Sequence, residues 1–349
     1  VSAPATRRIL TPILALALTM GLVACDQRAP SSTQPAPAPT PAPSSTPSAA
    51  ATTARLVVLS PGLAILLRDL GYADRIVARH AFDPATPRDV PAAGDEAGIN
   101  EEALLKARPD AVLLQRSARG VPPRLAELAA RRTFELHDIP MLGLDDIPAA
   151  ARDLDLLVQR LERRDTSSAP TDSPATAPTP LSPRATALLA DMSRAWAPRP
   201  NAHARVGRVL LLASADPPAA FGPGSWHHDL LLRLGATPAI TSGAPFVELN
   251  AEAILRLAPD AIILITTAPP SAAPDQPTTS DLTRQRLGRV ADLAASTPAF
   301  ATGRLASIDD PLAHTPSSAM VHLADRIDAI LAHWSPPPAQ PPAPPSAHP

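Results

Sequence analysis

Ile99-Asn-Glu-Glu-Ala-Leu-Leu-Lys-Ala-Arg-Pro-Asp-Ala-Val-Leu-Leu114 returns later in the chain as Leu249-Asn-Ala-Glu-Ala-Ile-Leu-Arg-Leu-Ala-Pro-Asp-Ala-Ile-Ile-Leu264. Asn100, Glu102, Ala103, Leu105, Pro109, Asp110, Ala111 and Leu114 all recur 150 positions on. The mechanics are legible. Asn caps a helix, and a Glu in the first turn complements the positive end of the helix dipole. Pro-Asp ends the helix, and the apolar run that follows reads as a strand. One such unit is a common αβ element; two at matching places imply duplicated lobes. Leu70-Gly71 and Leu234-Gly235 add a looser echo, each glycine standing where a helix stops.

Working outward, short apolar runs alternate with amphipathic stretches, the pattern of an α/β layer structure. In a first lobe, residues 55–164, strands are expected over Arg55–Ser60, Arg75–Arg79, Asp110–Gln115 and Thr133–Leu136. Helices are expected over Gly62–Leu70, Glu101–Ala107, Pro123–Arg132 and Ile147–Arg163, the last from leucines at 154, 157 and 161. In a second lobe, residues 205–334, strands are expected over Val206–Ala213, Ala261–Ile265 and Leu305–Ile308. Its helices are expected over Trp226–Leu234, Ala251–Ala258, Asp281–Ala295 and Ser318–Trp334. Between the lobes, 165–183 reads as a disordered Ser/Thr/Pro/Ala insertion and 184–204 as an interlobe helix, Arg184–Trp196, with its linker.

Composition supports this reading. Of the 349 residues 46 are proline, enough to break most elements if spread evenly. They cluster instead at 30–47, 170–183, 269–277 and 336–349, and residues 335–349 read as a disordered tail. A net charge of −2 excludes a polybasic nucleic-acid binder. The single cysteine excludes a disulfide scaffold and any Cys-based metal cluster.

That cysteine has its own context. Arg7-Arg8 precede a mostly apolar stretch, Ile9 to Val23, which at about 15 residues is too short to span a bilayer. It ends in Leu22-Val23-Ala24-Cys25, which looks like a bacterial lipobox. Residues 1–24 then read as a lipoprotein signal peptide, Cys25 as the acylation site, and 25–54 as a disordered Pro/Ser/Thr/Ala tether. The expected location is the extracytoplasmic or periplasmic face of the cell envelope, membrane-bound through the lipid.

Catalytic motifs are missing: there is no G-x-S-x-G elbow, no H-E-x-x-H and no Walker A loop. Adjacent His227-His228 point about 100° apart on a helix and do not face one ion together. His80 and His314 could converge with one of them, but the solvated or core-edge reading is preferred for each histidine. No enzyme, resident metal or cofactor is expected.

Arg55-Leu-Val-Val-Leu-Ser-Pro61, Leu70-Gly71, Asp74-Arg-Ile-Val77, Pro91…Gly94, Asn100-x-Glu102 and Pro109-Asp110 fall in an order that resembles a known family. Phe221-Gly-Pro-Gly224, Leu234-Gly235, Asn250-x-Glu252 and Pro259-Asp260 continue it in the second half. The family is the substrate-binding lipoproteins of iron-siderophore, haem and vitamin B12 ABC importers, the class III periplasmic binding proteins. The resemblance covers about 55–334. It implies two Rossmann-like lobes joined by a long helix, with a bulky metal chelate, a corrinoid or ferric siderophore, in the cleft between lobes that move little. It also implies a monomer that delivers this ligand to an ABC permease dimer with its ATPase subunits. A haem or metal-ion receptor of related fold, or a non-transport lipoprotein sensor, is the alternative.

Ligands of such lobes bind beyond the carboxyl ends of the strands. That selects Ser60 and Pro61 after the first strand, His80, Phe82 and Asp83 after the second, and Gln115 and Arg116 after the third. The second lobe contributes Phe221, Trp226 and Phe246. The resemblance matches Phe246 to an aromatic that B12-binding members carry just before the second Asn-x-Glu helix, whereas Gln115 replaces another family aromatic. Tyr72 follows a helix stop and is poorly placed as a haem ligand. Glu102 and Glu252 match the glutamates that, in B12 importers, pair with permease arginines.

Overall fold

The computed structural model describes residues 53–95, 98–131, 134–166, 179–269 and 280–335. The leader 1–24, Cys25, most of the tether 25–54, most of the insertion 165–183 and all but the first residue of the tail 335–349 lie outside the described residues.

The first lobe runs β1 (Leu56–Val58), α1 (Pro61–Asp69), β2 (Ile76–His80), β3 (Ala92–Gly94), α2 (Glu101–Ala107), β4 (Ala111–Gln115), α3 (Pro123–Arg131) and β5 (Glu135–Ile139). Two helices follow, α4 (Asp146–Thr166) and α5 (Pro183–Ala195). The second lobe runs β6 (Arg208–Ala215), β7 (Pro218–Phe221), α6 (Trp226–Arg233), β8 (Thr237–Pro238), β9 (Phe246–Glu248), α7 (Ala251–Leu257) and β10 (Ala261–Thr266). It closes with α8 (Ser280–Leu287), α9 (Arg289–Ala294), α10 (Pro298–Thr302), β11 (Leu305–Asp309) and α11 (Ala319–Trp334).

The first sheet is parallel throughout, in the order β3-β2-β1-β4-β5. Its central strands β1 and β4 are buried on both faces, which is why they read as unbroken apolar runs. The second sheet has the order β11-β10-β6-β7-β9, with β8 also paired to β6. Its β6, β10 and β11 are parallel, but β7 runs antiparallel to both β6 and β9.

The antiparallel hairpin was not expected from the sequence. Asp216-Pro217 turns the chain back, and β7 is a Pro-Ala-Ala-Phe strand with little intrinsic strand signal. The short strands β3, β8 and β9 and the helix α10 went unread for the same reason: two to five residues carry no period. The strand expected over Thr133–Leu136 is β5, shifted to Glu135–Ile139. The single helix expected over Asp281–Ala295 is two, broken at Gly288, whose φ of +48° interrupts the helical run.

The repeated unit folds as one unit twice. Asn100 accepts a bond from the Ala103 amide at 3.0 Å, and Asn250 from the Ala253 amide at 2.8 Å. Both helices end in a left-handed non-glycine residue, Arg108 (φ 44°) and Ala258 (φ 38°), directly before the Pro-Asp pair.

Three apolar layers hold the fold. One covers the α2/α3 face of the first sheet and includes Val57, Val112, Leu104 and Leu125. Another covers the outer face of the second and includes Leu210, Ile262, Ile254 and Leu287. The third is continuous from one lobe to the other: Leu56 and Leu113, through Leu66, Leu154, Met192 and Trp196, to Leu211, Ile263 and Ile327. Helix α5 contributes Ala185, Met192 and Ala195 to it. The helix expected over Arg184–Trp196 is α5, Pro183–Ala195, which at 13 residues is about 20 Å long. The expected insertion is also partly ordered: α4 runs on to Thr166, and Ser182 caps α5 by accepting from the Ala185 amide at 3.1 Å. Among the described residues no helix is long and apolar enough to cross a membrane.

Candidate functional site

In open α/β sheets the crevice opens where the strand order reverses. In the first lobe that point lies between β1 and β4. Ser60, just past β1, donates to Gln115 Oε1 at 3.2 Å, and Gln115 Nε2 donates to Met141 O at 3.2 Å. In the second lobe it lies between β6 and β10. There His314 donates from Nε2 to Ile265 O, near the carboxyl end of β10, at 2.9 Å.

The two points approach each other at a glycine. A Cβ at Gly62 would lie 2.4 Å from the carbonyl oxygen of Pro316 and 3.1 Å from Cε of Met141. Only a residue without Cβ lets the first turn of α1 meet the β11–α11 loop. Around this floor Ser318 Oγ donates to Asp69 at 2.5 Å, Trp196 Nε1 donates to Met320 O at 3.3 Å, and Arg233 pairs with Asp145 at 2.6 Å. Each of the three ties the second-lobe side to the first or to the end of α5.

The β2–β3 loop is built around Arg79, which donates to the carbonyls of Val90, His80 and Ala81 at 2.9–3.0 Å. His80 is buried, and its Nδ1 accepts from the Phe82 amide at 3.2 Å. Asp83 is buried too: Oδ1 takes the Ala85 amide at 2.8 Å, while Oδ2 has no hydrogen-bond partner among the described residues. These contacts hold the loop with Phe82 turned outward, 74% exposed. Pro61 opens α1. Arg116 is half exposed but committed, donating to Asp138 Oδ2 at 2.9 Å and Asp138 O at 3.2 Å.

In the second lobe, Phe246 lies in strand β9 rather than in a loop, paired with Phe221 of β7, and is 54% exposed. Ordinary core packing, the alternative for this side chain, is therefore excluded. Phe221 is buried: it meets Phe246 edge-on at 6.0 Å, stacks on His227 at 3.6 Å and meets His314 edge-on at 5.3 Å. Trp226, partly buried, packs on the shared core, and its buried Nε1 has no hydrogen-bond partner among the described residues. Of the five phenylalanines, three are buried, and each lobe leaves one ring in water.

His227 and His314 are the site residues that sequence reasoning set aside. Burial holds the His227 imidazole down to about 3, against a hydrogen bond to Ala313 O and with a small further push from His314. Burial also pushes His314 down, against its bond to Ile265 O. Both rings are neutral at pH 7. Nothing in an isolated histidine signals this; the Phe221–His227 stack forms only through the β7–α6 connection.

Glu102 is exposed on the first turn of α2. Glu252 is equally so on α7, with its side chain 84% exposed and only a 3.4 Å contact to Arg256. Glu101, by contrast, is held by Arg124 at 2.7 and 3.2 Å. Elsewhere, a cavity of about 640 Å3 lies between β5 and α4, lined by Leu136, Asp153, Leu157, Arg160 and Thr179 among others. It includes none of the residues read from the sequence as ligand-binding. Of its charged lining, Arg160 pairs with Glu135 and Asp138 with Arg116; Glu135, kept near 2 chiefly by Arg160 and against burial, also pairs with Arg164 and His137.

No protein-family model matches this sequence, and no curated protein matches it. Solved structures match its fold. The periplasmic heme-binding protein HutB of Vibrio cholerae aligns at 15% identity and a TM-score of 0.57, covering 80% of this chain and 98% of its own. The periplasmic vitamin B12-binding protein BtuF of the same organism aligns at 16% and 0.55, covering 80% of this chain and 97% of its own. A periplasmic heme-binding protein from Pseudomonas aeruginosa aligns at 18% and 0.55, covering 80% and 92%. The two α/β lobes are therefore the class III periplasmic-binding-protein fold.

Proposed function

We propose that this protein is the non-catalytic substrate-binding component of an ABC importer, and that it carries a bulky metal chelate, a corrinoid or ferric siderophore, in the cleft above Gly62. The observation that carries this reading is the pair of unburied rings, Phe82 in one lobe and Phe246 in the other. A chain that buries its other phenylalanines has a use for two in water, and flat apolar surface is what a large chelate covers. The fold supports the reading: the solved structures it resembles include proteins named for binding heme and vitamin B12.

The test is titration with cyanocobalamin, a ferric hydroxamate chelate and hemin. At least one is expected to bind, and Phe82→Ala and Phe246→Ala are each expected to weaken it by about tenfold, the equivalent of roughly 1.4 kcal/mol of lost contact. Absence of binding by all three refutes the reading.

Delivery would use Glu102 and Glu252, exposed at matching places on α2 and α7, against a permease dimer. Glu102→Ala/Glu252→Ala should bind ligand normally but lose uptake, whereas Glu101→Ala should not. Cys25 would anchor the protein by lipid, so Cys25→Ala should leave the membrane fraction. Normal uptake by the double variant, or membrane retention without Cys25, removes the corresponding part.

A further inference from the structure

Three histidines of the second lobe each spend one ring nitrogen on a backbone carbonyl. Nε2 of His227 meets Ala313 O at 2.7 Å, Nε2 of His228 meets Ile240 O at 3.2 Å, and Nε2 of His314 meets Ile265 O at 2.9 Å. A carbonyl only accepts, so each Nε2 carries the hydrogen, and in the neutral ring Nδ1 is left as a bare lone pair. Nδ1 of His227 is sealed in the interior with no partner among the described residues, beneath the Phe221 ring that lies 12° from parallel to it. His314 stands nearly perpendicular to His227 at 5.9 Å. Its Nδ1 also has no bond among the described residues, but its ring is only half buried. It sits two residues before Pro316, whose carbonyl touches Gly62 of the other lobe. The one available acceptor of this group thus stands beside the cleft floor.

We propose that His314 is a specificity residue of the cleft: its Nδ1 accepts a hydrogen bond from an N–H or O–H on an uncharged part of the ligand's periphery and refuses a carboxylate there. This rests on the chelate-binding reading above. His227 acts as a positioning residue, donating to Ala313 O and so fixing the backbone on which His314 is carried. The rings against it, Phe221 and His227, supply no cation at neutral pH, because burial keeps the imidazoles unprotonated. A carboxylate would meet a lone pair in an apolar wall and lose its water without compensation. A site built to bond one polar group rejects the analogue that lacks it.

Cyanocobalamin, rimmed by neutral amides, and hemin, rimmed by carboxylates, are the two probes, each titrated by tryptophan quenching. The wild type should hold cyanocobalamin about tenfold or more tighter than hemin. His314→Phe keeps an aromatic ring against Phe221 but has no acceptor, and should lose about tenfold in cyanocobalamin affinity; His314→Gln keeps an acceptor and should recover part of it. Should His314→Phe melt well below the wild type, His314→Gln against His314→Leu becomes the deciding pair. Hemin binding as tight as cyanocobalamin, or an unchanged affinity in the variant without an acceptor, overturns the proposal while leaving chelate binding intact. No binding of either probe or of a ferric hydroxamate overturns the functional reading and the proposal together.

Discussion

Asp155 of α4 is fully buried, where its carboxylate meets the start of α5. It accepts from the Tyr72 hydroxyl at 2.7 Å, from Gln159 Nε2 at 2.8 Å and from the Ser182 amide at 2.8 Å. Burial alone would raise its pKa; the bonds from Ser182, Tyr72 and Gln159 outweigh that and hold it below the usual carboxylate range. Burial, and then the bond to Asp155, push the Tyr72 hydroxyl up to about 12. Asp155→Ala would strand the Tyr72 hydroxyl and the Ser182 amide, while Gln159 retains its bond to Pro180 O. Two stranded donors at about 1–3 kcal/mol each predict a loss of about 3–5 kcal/mol. For a chain of this size that lowers Tm by on the order of 10 °C. Asp155→Asn keeps an acceptor and should cost roughly 1–2 kcal/mol. The pH dependence has a definite sign. A carboxyl whose folded pKa lies below its unfolded one contributes stability above the unfolded value and loses it as pH falls through the folded one. The gap between wild type and Asp155→Asn, measured by urea unfolding, should therefore be widest near neutrality and close in acid below the ordinary aspartate range. A loss under about 1 kcal/mol in Asp155→Ala at pH 7, or a gap that does not change with pH, refutes this account.

Gly62→Ala forces a methyl group into the Pro316 carbonyl and should cost about 1–3 kcal/mol, read as a lower midpoint in urea with unchanged slope. Asn100→Ala and Asn250→Ala remove one cap each and should each cost about 1 kcal/mol, adding in the double variant because the caps lie in different lobes. Phe82→Ala, at an exposed loop position, should change the unfolding free energy by no more than about 0.5 kcal/mol, which circular dichroism melts will show. His227 is neutral when folded but takes a proton when unfolded in mild acid, so stability should fall as pH drops below about 6.5. His227→Phe should flatten that slope in melts between neutral and mildly acidic pH.

Much of the fold was legible because its strongest signals are local. The Asn-x-Glu helices, the Pro-Asp stops and the apolar strands β1, β4, β6 and β10 each carry their own period or punctuation. What escaped was set by partners distant in sequence. β9 is three residues long and exists because Phe221 lies opposite Phe246. The register of β5 is fixed by β4; of its first two expected residues, Phe134 lies ahead of the strand and Thr133 outside the described residues. The site divides the same way. Loop positions past the strand ends could be named in advance, but their exposure could not. Ser60, His80, Asp83 and Phe221 share the candidate loops with Phe82, yet are buried. The role of Gly62 depends on a carbonyl more than two hundred residues away. The contrast between Glu101 and Glu102 depends on Arg124 from the next helix.

The apolar layer that passes from Leu113 through Trp196 to Ile263 has a consequence for how the molecule came apart from its ancestor. A duplicated gene begins as two foldable copies; here each copy has surrendered one face to a common interior. Expressed alone, either half would present that face to water and aggregate. Heat should accordingly melt the protein in a single endotherm, with equal calorimetric and van't Hoff enthalpies, although the chain looks like two domains. The repeat is doubled in the sequence, but the interior is held in common by both halves.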